Sequence, residues 1–229
     1  MKTRNKVLLT LACAVLLVTA SVMGTLAWLT STGTVTNTFT VGQVKITLDE
    51  AAVNIDGEKL NKEGNIAEND SDLADRVSGA NKYHLMPGHT YVKDPTIHVQ
   101  ANSEECYLFV TLDNGFLSLI DSNSTTIKNI EEQMIANGWK KMAQDGDNKN
   151  VWYYAENENL KTVAKSDKVQ DIKLFESFKI KDEATNEQLA GVKDNTITVK
   201  AYAIQKDGIS KKNIAEIWTI LGTATGSND

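Results

Sequence analysis

The stretch "CYLFVTLD", residues 106–113, decides how the rest of the chain is read. Cys106, Leu108, Val110 and Leu112 alternate with Tyr107, Phe109 and Thr111, so apolar side chains leave the pleat on both sides. A strand of that kind is covered on both faces and sits at the centre of a sheet. Cys106 reads as a small buried hydrophobe within it.

Outward from this strand the period of two returns. "QVKITLD" (43–49) sets Val44, Ile46 and Leu48 on one face. "PTIHVQ" (95–100) turns Ile97 and Val99 inward and His98 outward, as a solvated surface residue. "VWYYAE" (151–156), "LFESFKI" (174–180) and "TITVKAYAIQ" (196–205) follow, the last with Ile197, Val199, Ala201 and Ala203 on one face. Thr, Val, Tyr and Phe dominate these runs, as a half-buried pleated surface favours. "QDGDNKN" (144–150) reads as a hairpin turn. Its Asp145 and Asp147 lack the remaining ligands of a calcium loop. Residues 58–82 are polar, acidic and aperiodic, and read as a surface excursion.

Two helices interrupt the strands. In "TTIKNIEEQMIANG" (125–138) Ile127, Ile130 and Met134 fall at helical spacing and Gly138 ends the run. In "SKKNIAEIWTILG" (210–222) Ser210 caps, Ile214, Ile217, Trp218 and Leu221 form one stripe, and Gly222 terminates. That stripe is expected against the edge or end of the sheet. Short strands without βαβ alternation, with two added helices, make one antiparallel β-sandwich.

The N-terminus sets the compartment. Lys2, Arg4 and Lys6 precede a run from Val7 to Trp28 without a charged side chain. Such a run is long enough to span a bilayer as a retained anchor. It nevertheless carries Thr10, Thr19, Ser21 and Gly24, and Thr25 and Ala27 fit the two small subsites of a signal peptidase. Cleavage after Ala27 is the favoured reading, with 1–27 as signal peptide, 28–42 as an N-terminal strand and 43–229 as the sandwich domain. Losing the three leader cations takes the 24 basic residues to 21 against 30 acidic ones, a net charge of −9. That balance disfavours nucleic acid and anionic lipid as partners. Cys13 leaves with the leader, so Cys106 has no internal disulfide partner.

No pattern for catalysis emerges. His84 and His89 in "HLMPGH" are five apart across a Pro-Gly turn, and no HExxH, G-x-S-x-G or phosphate-cradling glycine loop occurs. The reading is a non-enzyme without catalytic, cofactor-binding or metal residues.

Several blocks resemble a known family. The leader ending "GTLAWLTSTGTVTNTFTVGQVKITLD" is similar to exported Gram-positive proteins processed by a SipW-type signal peptidase. "LMPGHTYVKDPTIHVQANSEECYLFVTLDN" resembles their Pro-Gly turn, "KDP" and paired strands, and departs from them in the turn "QANSEEC". "VWYYAE" with "LFESFKI", and "TITVKAYAIQKDG" before a Trp-containing helix, continue the likeness. This family of biofilm matrix proteins includes TasA, camelysin and BsaA-type members. The resemblance implies a mostly β, jelly-roll-like sandwich with two or more short helices behind a cleavable signal peptide. It further implies secretion to the matrix or cell surface of a Gram-positive bacterium, a structural role in extracellular fibres, and an anchoring or nucleating matrix partner.

Residues 34–41 alternate Val35, Asn37, Phe39 and Val41 with four threonines, and 28–41 extended would reach on the order of 45 Å. Such a ribbon needs hydrogen-bond partners and cover for its apolar face. It either folds back as the first strand of its own sandwich or adds to a neighbour's sheet. The resemblance favours the second, a homopolymer in which Trp28, Leu29, Val35, Phe39 and Val41 anchor the strand in the next copy. Two other functions stay open: a camelysin-like surface metalloprotease involving His84, and a monomeric adhesin or carbohydrate-binding module using Trp152, Tyr153 and Tyr154.

Overall fold

The computed structural model describes residues 30–34, 37–38, 44–192, 196–209 and 212–225. These residues are mostly β, arranged in antiparallel sheets with three short helices. The strands are β1 (Thr30–Thr34), β2 (Asn37–Thr38), β3 (Ile46–Asp49), β4 (Thr90–Val92), β5 (Thr96–Val99), β6 (Cys106–Asn114) and β7 (Trp139–Lys141). They continue as β8 (Val151–Glu156), β9 (Asn159–Leu160), β10 (Gln170–Lys173), β11 (Ser177–Lys179) and β12 (Ile197–Gln205). The helices are α1 (Ile130–Ala136), α2 (Asn186–Gly191) and α3 (Ile214–Thr225).

The large sheet runs β2-β1-β12-β6-β8-β7, with β9 attached to β8; β10-β5-β3 form a second sheet and β11-β4 a ribbon. β6 is central, as its two apolar sets require, hydrogen-bonded to β12 on one side and β8 on the other. On one of its faces Cys106, Leu108, Val110 and Leu112 share a core with Ile46, Leu48, Ile97, Val99 and Ile172 of the second sheet. On the other face Tyr107 and Phe109 pack with Ile204, Ile217 and Leu221. Burying each such side chain stabilises the fold by about 1.5–3 kcal/mol, and trimming Phe109 to Ala would cost about 3–5 kcal/mol.

α3 therefore covers a face of the large sheet, not its edge or end. Trp218 lies 5.3 Å from the Tyr202 ring and 5.7 Å from Phe109. Aromatic residues at 107, 109 and 202 make that face too apolar to be left in water. The helix starts from Asn213, whose side chain accepts from the Glu216 amide while Glu216 accepts from the Asn213 amide, and it continues through Gly222. Ser210 lies outside the described residues.

α1 begins with the same reciprocal cap, between Asn129 and Glu132. It buries Ile130 and Met134, and the Gly138 amide closes its end on the Ile135 carbonyl. α2 is an addition to the sequence reading, capped by Thr185 and Gln188 without burying a residue. The turn "QANSEEC" places Asn102 at φ 63, the left-handed conformation that asparagine tolerates. Ser103 behind it is buried, and its hydroxyl accepts from the Lys45 amide.

Candidate functional site

β1 is the expected point of function, and its five residues, TSTGT, carry no large apolar side chain. It pairs antiparallel with β12, Thr30 opposite Ile204, Ser31 opposite Ala203, Thr32 opposite Tyr202 and Gly33 opposite Ala201. It then turns back into β2, with Gly33 opposite Thr38. β1 also touches β3, so it lies along the seam where the large sheet meets the second one. In this chain β1 thus pairs with its own sheet. Without it, the β12 backbone at 201–204 would lose its partners on the side away from β6. Thr25 and Ala27, expected as peptidase subsites, and Trp28, Leu29, Val35, Phe39 and Val41, expected as strand anchors, lie outside the described residues, as does the expected signal peptide at 1–27.

β3 is held next to that seam by a polar relay that the sequence did not reveal. His98, expected in solvent, is instead clamped between the two strands flanking β5. Its Nε2 lies 2.8 Å from Asp49 Oδ1 on β3, and its Nδ1 2.6 Å from Asp171 Oδ1 on β10. Burial pulls the imidazole pKa down, but hydrogen bonds to and charges on Asp49 and Asp171 outweigh this and leave it raised. Asp49 Oδ1 also accepts from Arg76 Nε at 2.5 Å. The Arg76 guanidinium continues to Asp94 Oδ2 (2.9 Å), the Asp94 carbonyl (2.9 Å) and Thr96 Oγ1 (3.1 Å).

Arg76 belongs to the excursion at 58–82, which keeps its surface position but is tied down. Glu50 bridges to Val77, Leu60 to Ile66 and Asn61 to Leu73. The "KDP" block is the other half of the tether. Asp94 Oδ1 accepts from the Ala51 amide at 2.6 Å, and Lys93 Nζ meets Glu50 Oε2 at 2.6 Å, both side chains nearly buried. Asn81 Nδ2 completes the pair by donating to Glu50 Oε1 and the Ala51 carbonyl. Tyr83 donates to the Val92 carbonyl, and burial pushes its hydroxyl pKa up.

The remaining singled-out residues do not converge. His84 is exposed beside Asp56, while the His89 ring packs edge-on against Tyr91 and its Nε2 meets the Asp56 carbonyl at 2.9 Å. Tyr91 Oη fixes the Pro-Gly turn by donating to the His84 carbonyl and accepting from the Met86 amide, each at 2.7 Å. Among the described residues no three His, Cys, Asp or Glu side chains are grouped to hold a metal ion. Trp152 and Tyr153 are buried, and Tyr154 is half-buried against Trp139. Cys106 is fully buried, and burial pushes its thiol up to about 12. No helix of the described residues is long and apolar enough to cross a membrane. Comparison with protein-family models, with curated proteins and with solved structures finds no match.

Proposed function

We propose that this chain is a secreted, non-enzymatic subunit of an extracellular fibre or biofilm matrix. It is exported through a SipW-type signal peptidase and assembled by passing its N-terminal strand to the next copy. The observation that carries the reading is the character of β1: a strand of Thr, Ser and Gly, flanked outside only by the two-residue β2 and attached to β12 through its backbone ladder. A ladder of that kind is the same whether the strand comes from its own chain or from another. Exchange then costs little, and repeated head to tail it makes a filament when the rotation does not close.

The rest of the reading is supported by the family resemblance. It comprises jelly-roll connectivity, cleavage after Ala27, location at the surface of a Gram-positive cell, and a matrix protein that anchors or nucleates the polymer. Val35, Phe39 and Val41 supply the apolar grip that β1 lacks, with Trp28 and Leu29 at the freed end. Electron microscopy of protein beginning at Trp28, beside protein lacking 28–41, is the test. Filaments are expected from the first alone; single particles from both overturn the proposal.

A further inference from the structure

Beyond β12 and β6, on the side away from β1, a cleft of about 650 Å³ opens between the end of β6, the start of β8 and the N-terminal turn of α1. Its volume falls within the roughly 300–1,000 Å³ typical of small-molecule sites. The floor is apolar and built from buried Leu112, Ile120, Ile130 and Trp152, and Leu117 on the wall is 58 % exposed. The lining also holds three lysines. Lys141 is committed, 2.6 Å from Glu131 and 5.6 Å from the Trp152 ring. Lys149 and Lys181 meet no carboxylate among the described residues, although acids outnumber bases in the chain. Asp113 is the remaining charged group, so the lining carries a net +1 in a chain of net −6.

We propose that this cleft binds a small amphipathic anion, its acidic head held by Lys149 and Lys181 and its alkyl or aryl body laid against Leu117 and the floor. Two features select that class together. Two lining lysines without a carboxylate partner among the described residues make the cleft locally cationic in an acidic chain, which favours an anion there. Leu117, exposed at the mouth of an apolar floor, gains free energy only from a ligand that removes it from water. A sugar is disfavoured, because the one aromatic of the floor is buried and offers no face for stacking. The site shares no residue with β1, β12 or the His98 relay.

The test titrates the full chain, labelled for amide NMR, with decanoate below its micelle threshold. Acetate and decyltrimethylammonium form parallel arms. Decanoate should shift the amides of Leu117, Lys149, Asn150 and Lys181 saturably, and the other two should not. The double variant Lys149→Glu, Lys181→Glu should keep its amide dispersion and weaken decanoate about tenfold or more, as reversing two nearby charges requires. Leu117→Ser should weaken it independently. No saturable shift at these amides, an unchanged Kd in the double variant, or an equal response to the cation overturns the proposal.

Discussion

Both nitrogens of His98 face carboxylates, Nε2 toward Asp49 and Nδ1 toward Asp171. A neutral imidazole has one N–H, so only the imidazolium donates at both contacts. The clamp across β3, β5 and β10 is thus closed in the charged form, and Arg76 on the same Asp49 oxygen completes the charge balance.

Because the folded pKa is raised above the usual 6.5, the clamp contributes in full below about pH 6.5 and is lost as pH rises through the folded value. Urea midpoints should therefore fall across that window. His98→Gln should flatten this part of the profile, and NMR titration should give His98 a higher pKa than a model peptide. An unshifted His98 would contradict the relay.

Removing Lys93 leaves Glu50 buried without its cation. Lys93→Ala should cost about 3–5 kcal/mol in denaturant unfolding, whereas exposed Lys173→Ala, which breaks only a surface pair with Glu176, should cost under about 1 kcal/mol.

Gly57 and Gly64 end two similar turns, each with an asparagine three residues earlier accepting backbone N–H groups. Both have positive φ, 78° and 83°. A Cβ at Gly57 would meet Tyr91 Cα at 2.9 Å and its ring at 2.7 Å, while one at Gly64 meets nothing within 4 Å. Gly64→Ala should lose only the left-handed penalty, about 1–2 kcal/mol, and Gly57→Ala visibly more. Equal losses would show that Tyr91 yields.

Ser31 and Ala203 are opposite in register, so the proposed strand exchange has a covalent readout. With cysteines at both positions, oxidation should link the strand within one chain in a monomer and between chains in a polymer. A ladder on a non-reducing gel under assembly conditions is the expected outcome. Buried Cys106, its thiol pushed up to about 12, should stay out of the exchange.

The strands were legible because their burial is periodic. Residues 106–113 announced a central strand, and Val44, Ile46, Leu48, Ile97, Val99, Ala201 and Ala203 are core as their alternation requires. The helical stripe at 214–221 was legible too, but its location was not. Period and capping are local, whereas packing on a face depends on which strands bring Tyr107, Phe109 and Tyr202 together. The relay was hidden for the same reason. Asp49, Arg76, His98 and Asp171 read singly as solvated, and only the register of β3, β5 and β10 makes them neighbours. β10 carries Ile172 as its single apolar residue and α2 is polar, so neither left a periodic apolar signal to read.

The central ladder joins residues 83 to 99 positions apart, Asn114 with Ile197 and Cys106 with Gln205. A chain delivered N-terminus first holds its most apolar strand without a β12 partner until nearly all of it has emerged. Closing so distant a pair is slow, and the waiting strand is a hazard for aggregation. Newly made chains thus depend on dilution or escort during delivery, whatever they later become.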